Sequence, residues 1–170
     1  MNESQKAILH LFDEHIFGVM RTELDWALRG GAANLAALGL VAYTEFLGGI
    51  LTGDLGRRDA SGSNFRAFLP YLGADYVALA RRGVDIYERV RSGLAHEYFI
   101  KGESTIWPQA SAPCGIISSV NGHTYFIVSV YRDHLFDGAR KLRDEILEDQ
   151  GGSAVARARK ALLTVGIPLP

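Results

Sequence analysis

Apolar residues recur at intervals of three and four through the N-terminal part of the chain, which is the period of an amphipathic helix. The first run extends from Ser4 to Leu28 and stops at Gly30-Gly31, a frequent C-terminal signal for a helix. The next run, Gly31 to Leu51, is almost wholly apolar and predicts a helix buried on all sides. Residues from Thr52 to Asn64 are rich in Gly, Asp and Ser and predict an exposed loop.

Two further helices are predicted before the pattern changes at Gly102. The first covers Phe65 to Ala80 and is expected to be interrupted at Pro70, because proline lacks the backbone donor that a helix needs. The second begins near Gly83 and carries an apolar stripe formed by Val84, Tyr87, Leu94 and Tyr98.

Beyond Gly102 the residue types are those of β-strands. Cys114 to Val120 and His123 to Tyr131 are rich in Ile, Val, Tyr and Phe, and Asn121-Gly122 between them predicts a type I′ hairpin turn. An isolated hairpin is only marginally stable in water. We therefore expect it to pack on helices or to pair with another strand, for example Thr105 to Trp107 or a strand of a second subunit.

The helical period returns from Arg132 to Glu148 and ends at Gly151-Gly152. Ser153 is expected to cap a last helix that reaches about Thr164. The predicted fold is therefore mainly α, a single domain over residues 1–170. It comprises a helical core at 1–102, a β-hairpin at 113–131 and C-terminal helices at 132–164.

Composition narrows the class of protein. The chain has 170 residues, 48% of them hydrophobic, which is enough for one domain with its own core. The single cysteine, Cys114, favours a reducing compartment, and no cluster of His and Cys has zinc-ligand spacing. With no secretory signal at the N-terminus, we expect a cytoplasmic protein without a metal or cofactor. The formal net charge of −1 argues against a protein that coats nucleic acid.

The run from Gly31 to Leu51 is also long enough to cross a bilayer. It contains Asn34 and Glu45, however, and polar residues of this kind are costly in lipid. We favour the central helix of a soluble domain. In that case Glu45 is a buried carboxylate that needs a partner.

The segment Arg91 to Tyr98 holds the residues best suited to chemistry. An arginine binds phosphate oxygens through a planar fork, a histidine exchanges protons near neutral pH, and a phenol positions a phosphoryl group. Arg91, His96 and Tyr98 supply these three groups within one short stretch.

Helical geometry constrains how this segment is used. At about 100° per residue, Arg91 would lie within the apolar stripe and His96 would face away from it, unless Gly93 breaks or distorts the helix. An arginine on that stripe needs a carboxylate, for which Glu88 and Glu45 are the two candidates. The pair would either tie two helices together or orient Arg91 toward a ligand.

The spacing of arginine, four residues, histidine, one residue and tyrosine resembles the signature of HEPN domains. The apolar second helix with Glu45 and the helix order up to residue 100 are similar as well, so the resemblance covers about two thirds of the chain. Ser92 stands where the family often has asparagine or another polar amide or acid, so a hydroxyl replaces the amide, and the hairpin is additional to the minimal bundle.

The resemblance implies a helical bundle of up-down antiparallel helices that acts as a homodimer and cleaves RNA without a metal. Arg91 and His96 would be catalytic, with Tyr98, Ser92, Glu45 and Glu88 in support. It also implies a role as the toxin or defence component of a toxin–antitoxin system, with an antitoxin or nucleotidyltransferase as partner. The alternatives are a non-catalytic module that binds a nucleotide or protein, and an oligomeric helical protein in which Arg91 and Glu45 are purely structural.

Overall fold

The computed structural model describes residues 3–97, 103–119, 121–149 and 152–167, and of residues 96 and 97 it describes only the backbone. Within these ranges the protein is mainly helical with one small three-stranded sheet. The helices are α1 (Glu3–His10), α2 (Arg21–Arg29), α3 (Ala33–Thr52), α4 (Ser61–Leu72), α5 (Ala74–Arg81), α6 (Gly93–Glu97), α7 (Val128–Glu148) and α8 (Ser153–Thr164). Two π-helices accompany them, a first at Leu11–Met20 and a second at Tyr87–Ser92.

The predicted first helix is present but has an unexpected middle. Its central ten residues, Leu11–Met20, are π-helical, and α1 and α2 continue it on either side. The buried positions Ile8, Phe12 and Ile16 are four apart, so one apolar face persists through the wider turns. The helix ends at Gly30, and Gly31 has a left-handed φ of 75°, as the glycine pair predicted.

α3 lies at the centre of the molecule and contacts α2, α4, α7, α8, the second π-helix and the sheet. Among the described residues it is the one helix long and apolar enough to cross a bilayer, and half of its apolar window is buried inside the protein. The surrounding helices cover it on several sides, which is consistent with the central helix of a soluble protein.

The start of α4 corrects the predicted loop. The helix begins at Ser61 rather than at Phe65, because Asn64 is a buried helical residue with partners in the preceding turn. Its side-chain oxygen accepts a hydrogen bond from the Thr52 hydroxyl at 2.8 Å, and its amide nitrogen donates to the Asp54 carbonyl at 3.3 Å. A polar residue that indicates a loop in the sequence is thus satisfied inside the fold.

The break between α4 and α5 was also predicted at the wrong residue. Pro70 lies inside α4 without ending it, and the chain turns at Gly73, whose φ is 137°. Proline blocks only one intrahelical hydrogen bond, and close to the end of a helix its effect is small. A backbone conformation that favours glycine ends the helix more effectively.

The sheet has the order β1-β3-β2, with β1 at Ser104–Trp107, β2 at Ile116–Ser118 and β3 at Thr124–Ile127. β2 pairs antiparallel with β3, which confirms the predicted hairpin, and β1 pairs parallel with β3, which confirms the proposed third strand. The strand predicted to reach Tyr131 ends at Ile127, and Val128 begins α7. Val128, Tyr131 and Leu135 are buried at helical spacing, so an apolar run that indicated one strand serves two elements.

The hairpin turn is not of type I′. That turn has two residues between the last paired positions of the strands, whereas here the register pairs Ser118 with Thr124 and makes the loop longer, with Gly122 at a φ of 80°. The Ser119 N–H donates to the His123 carbonyl at 2.8 Å, and the Gly122 N–H donates to the Ser119 carbonyl at 3.0 Å. A left-handed glycine after such a turn is typical of a longer hairpin loop with a bulge.

The cap of α8 also differs from the prediction. The Asp149 carboxylate accepts hydrogen bonds from the N–H groups of Ala154 at 2.5 Å and Val155 at 3.3 Å, in the role expected of Ser153. The Ser153 hydroxyl instead accepts a hydrogen bond from the Arg157 guanidinium at 3.1 Å.

Candidate functional site

The second π-helix places Arg91 beside the central helix. The chain enters it through Asp85, whose side chain accepts a hydrogen bond from the Glu88 N–H at 3.0 Å. The helix is π-helical from Tyr87 to Ser92, and Gly93 starts the short α6. The distortion expected at Gly93 is therefore present as a wider turn just before it. π-helical turns are rare in proteins, and many of those that occur lie at functional sites.

Arg91 pairs with Glu45, one of the two carboxylates predicted for it. The Arg91 Nε lies 3.7 Å from Glu45 Oε2, and the two side chains are 31% and 21% exposed. The pair therefore sits at the rim of the core rather than inside it. Glu45 has the partner that its predicted burial required, but its side chain is only partly buried.

Tyr87 completes the immediate surroundings of Arg91. The guanidinium carbon lies 5.9 Å from the centre of the Tyr87 ring, a distance at which a cation and a ring attract each other. Tyr87 in turn packs on buried Phe65, with ring centres 5.6 Å apart. Sequence reasoning assigned Tyr87 only to the apolar stripe. Its position four residues before Arg91 is the signal that would have linked them.

The remaining predicted residues are placed as follows. The Ser92 hydroxyl donates to Glu88 Oε2 at 2.9 Å, so these two form a second, separate pair on the same π-helix. His96 lies in α6, and its side chain is outside the part of the chain that is described. Tyr98 lies outside the described residues as well.

Chemically, Arg91 is oriented but its donors remain available. A distance of 3.7 Å is an ion pair and exceeds the usual limit for an N–H···O hydrogen bond. Within the described residues, its guanidinium makes no hydrogen bond to another side chain. A guanidinium in this state presents a fork of N–H groups that matches a phosphate.

Two clefts lie on the described surface near α4 and α8. One, of about 200 Å³, is bounded by Phe65, Arg66, Asp85 and Tyr87, and Arg91 does not line it. The other, of about 640 Å³, runs along α8 beside Arg159 and Leu163. The larger cleft involves no residue of the Arg91 segment, and we place the site by its chemistry rather than by cavity size. Within the described residues, no group of three or more His, Cys, Asp or Glu side chains is arranged to hold a metal ion.

A buried polar network lies elsewhere in the core, among α5, α7 and the start of the sheet. The Tyr76 hydroxyl accepts a hydrogen bond from the Gly115 N–H at 2.9 Å and lies 2.9 Å from His134 Nδ1. Burial raises the pKa of the Tyr76 phenol, and burial likewise raises the pKa of the neighbouring Cys114 thiol. The Tyr76 phenol and the Cys114 thiol therefore stay protonated near physiological pH.

No family model, no curated protein and no solved structure matches the chain.

Proposed function

We propose that the protein is a metal-independent endoribonuclease of HEPN type that acts as a cytoplasmic homodimer. The observation that carries this proposal is the state of Arg91, which is held at the surface by Glu45 and Tyr87 while its N–H donors remain available. His96 follows five residues later in the sequence. A phosphate-binding cation and a proton-transfer group within one short segment are what RNA cleavage requires.

In this mechanism the 2′-oxygen of RNA attacks the adjacent phosphorus and the bond to the 5′-oxygen breaks. A base removes the proton of the 2′-hydroxyl, and an acid protonates the departing 5′-oxygen. The products are a 2′,3′-cyclic phosphate and a free 5′-hydroxyl. Arg91 stabilises the extra negative charge on the phosphate oxygens, and Glu45 and Tyr87 fix the orientation of its guanidinium.

One chain supplies one His96, whereas the reaction uses both a base and an acid. A two-fold axis that brings together the Arg91–His96 segments of two subunits provides both. Tyr98 and Ser92 would contact the RNA or its phosphates, and Glu88 would hold Ser92 through the bond at 2.9 Å. A role as a toxin or defence component, controlled by an antitoxin or nucleotidyltransferase partner, follows from the same resemblance.

The test is cleavage of total RNA in EDTA by the wild type, His96→Ala and Arg91→Ala, after each protein has been sized. We expect both substitutions to reduce cleavage at least tenfold without changing the oligomer. His15→Ala and Arg58→Ala are matched controls, because both side chains are exposed and lie outside the segment. Cleavage that survives in both site variants contradicts the mechanism.

The second candidate is a non-catalytic module that binds a nucleotide or a protein. The observation in its favour is that the Glu45 carboxylate already balances the charge of Arg91. In a binding site, the phosphate of a nucleotide would replace this carboxylate as the partner of the guanidinium. This candidate predicts no cleavage of RNA, together with a melting temperature that rises in the presence of mononucleotides and fails to rise for Arg91→Ala.

A further inference from the structure

A small cleft lies between α4 and the turn that joins α5 to the second π-helix. Its volume is about 200 Å³, and buried Phe65, Leu69 and Ile86 form its apolar lining. The half-buried ring of Tyr87 lines it as well. Pockets for drug-sized ligands span roughly 300–1,000 Å³. This cleft therefore suits a smaller flat group, of the size of a single nucleobase.

Two side chains of opposite charge, Arg66 and Asp85, also line the cleft. Arg66 Nη1 lies 3.9 Å from Asp85 Oδ2, which is too long for a hydrogen bond, and both side chains are more than half exposed. Within the described residues, the Arg66 guanidinium makes no hydrogen bond. Asp85 Oδ1 accepts a hydrogen bond from the Glu88 N–H at 3.0 Å, which orients the carboxylate and leaves Oδ2 available. An available donor therefore lies beside an available acceptor at the edge of an apolar cleft.

Residues beside the cleft in sequence carry more positive than negative charge. Arg81 and Arg82 are exposed and precede Gly83, which lines the cleft. Within the part of the chain that is described, neither arginine forms an ion pair. The acidic residue that follows the lining segment is Glu88, which accepts a hydrogen bond from the Ser92 hydroxyl at 2.9 Å. This balance does not oppose a ligand that carries a phosphate.

Guanine matches the two charged side chains better than the other bases do. Its O6 accepts a hydrogen bond, and the neighbouring N1–H and N2–H₂ groups both donate. A carboxylate can accept from both donors while a guanidinium beside it donates to O6. Adenine, cytosine and uracil lack two adjacent donors, so each would use the carboxylate only in part.

Tyr87 connects the cleft with Arg91. The Tyr87 ring lines the cleft, and its centre lies 5.9 Å from the Arg91 guanidinium carbon. A base placed against this ring would therefore lie one side chain away from the guanidinium that is proposed to bind phosphate.

We propose that this cleft binds a guanine base, with Arg66 on O6, Asp85 on N1–H and N2–H₂, and Tyr87 against the ring. The guanine site depends only on the cleft and its two charged side chains. The assignment of the base to an RNA strand held by Arg91, rather than to a free nucleotide, rests on the proposed function.

Titration calorimetry of the full chain with GMP, IMP and AMP tests base recognition without any substitution. IMP keeps O6 and N1–H but lacks the 2-amino group, whereas AMP lacks both O6 and N1–H. We expect IMP to bind several-fold more weakly than GMP and AMP to bind at least about tenfold more weakly than GMP.

Asp85→Asn should change the preferred base. Asparagine caps a helix as well as aspartate does, so the hydrogen bond from the Glu88 N–H is retained. The amide presents one acceptor and one donor, which fits XMP, whose ring carries an oxygen in place of the 2-amino group. We expect the ratio of GMP to XMP affinity to fall at least about tenfold.

Asp13→Asn is the matched control for this substitution. Asp13 is also about half exposed and lies 3.5 Å from an arginine, Arg143. Its variant should keep the GMP preference of the wild type. Circular dichroism of both variants checks that the fold is retained.

A 2′-O-methylated oligonucleotide of about five nucleotides, with one guanosine among uridines, distinguishes the two sources of the base. It lacks the 2′-hydroxyl nucleophile, so it binds without being cleaved. If the base belongs to an RNA strand, the oligonucleotide should bind at least about tenfold more tightly than GMP and lose that advantage in Arg91→Ala. If it belongs to a free nucleotide, GMP should bind as tightly as the oligonucleotide, and Arg91→Ala should change neither.

Three results would overturn the inference: equal binding of GMP and AMP, binding of neither, or a folded Asp85→Asn protein that keeps the GMP preference. The outcome is separable from the proposed function, because none of these ligands can be cleaved. RNA cleavage without guanine binding removes only the guanine site, and guanine binding without RNA cleavage removes only the nuclease.

Discussion

Two contacts made by the same stretch of α3 differ in kind. At Gly48 the helix presses directly against the backbone of α4, where an added Cβ would lie 1.9 Å from the Asn64 oxygen. Three residues earlier, Glu45 reaches out to Arg91 at 3.7 Å, and both side chains are partly exposed. The first contact has no spare volume, whereas the second leaves donors and solvent access. One helix thus stabilises the fold on one side and supports candidate chemistry on another.

The two contacts differ in what a substitution there would change, either the stability of the fold or the binding of a ligand. Close backbone contacts cannot relax without moving a whole helix, so changes there lower the free energy of unfolding. Partly exposed ion pairs contribute little to stability, so changes there act mainly on whatever the charged groups bind. The predictions below test this contrast, from the largest expected effect to the smallest.

Gly48→Ala should have the largest effect. The added methyl group meets the Asn64 backbone, and we expect the free energy of unfolding to fall by about 3 kcal/mol. Gly39→Ala is the matched control in the same helix, because its nearest neighbour is the Leu24 Cδ2 at 3.4 Å. It should leave stability unchanged or raise it by up to about 1 kcal/mol. Equal losses in urea denaturation of the two variants would contradict the close contact.

Tyr76→Phe should come next. It removes the acceptor of the Gly115 N–H and the hydrogen-bond partner of His134, both at 2.9 Å. A buried N–H left without a partner costs about 1–3 kcal/mol, and we expect a loss of about 2 kcal/mol in urea denaturation. Tyr125→Phe removes a hydroxyl from a half-exposed ring and should change stability by less than about 0.5 kcal/mol. Similar values for the two would argue against the buried network.

Arg91→Ala should destabilise the protein by about 1 kcal/mol or less, because the ion pair is longer than a hydrogen bond and partly exposed. Glu45→Gln should behave alike, and a double-mutant cycle should give a small coupling energy. RNA cleavage, in contrast, should fall strongly for Arg91→Ala. A loss of about 3 kcal/mol or more would support the alternative in which this pair is purely structural.

The titration of Tyr43 should give the smallest effect. Burial, followed by its 2.8 Å hydrogen bond to the Glu23 carboxylate, raises the pKa of Tyr43 to about 12 from 10.0. Between these values the unfolded chain holds fewer protons than the folded one. The contribution of Tyr43 to stability is therefore complete below pH 10 and is lost as pH rises toward 12.

Phenolate absorbance, compared between the wild type and Tyr43→Phe, isolates this group from the other tyrosines. In Glu23→Gln the pKa of Tyr43 should fall but stay above its ordinary value, because burial remains. An unchanged pKa in that variant would remove Glu23 as a cause.

Much of the fold could be predicted because the signals are local. The long apolar run predicted α3 to within two residues at each end. The segments rich in Ile, Val, Tyr and Phe predicted the hairpin, and the need for a further strand pointed to Ser104–Trp107. For the site, the requirement that Arg91 find a carboxylate narrowed its partners to Glu88 and Glu45. Only the packing of α3 against the second π-helix selected Glu45.

These errors share one cause: each residue or run makes contacts with parts of the chain that lie outside its own segment. Asn64 was assigned to a loop because its amide is polar, yet Thr52 and Asp54 satisfy it within the fold. The apolar run after His123 was assigned to one strand, yet burial on both the sheet and α7 divides it at Ile127. The contacts among the rings of Trp107, Tyr125 and His123 were missed because these residues lie on two strands that are separate in the sequence.

The sequence by itself determined that the chain is mainly helical, where most elements lie, and which short segment brings an arginine, a histidine and a tyrosine together. These properties depend on the spacing of residue types along the backbone, which local geometry turns into faces and turns. Only the tertiary structure decided that Arg91 meets Glu45 at the rim of the core, that Gly48 admits no side chain, and that three rings line one face of the sheet. These depend on which distant surfaces meet, because close packing and the pairing of buried polar groups are satisfied across the whole domain at once.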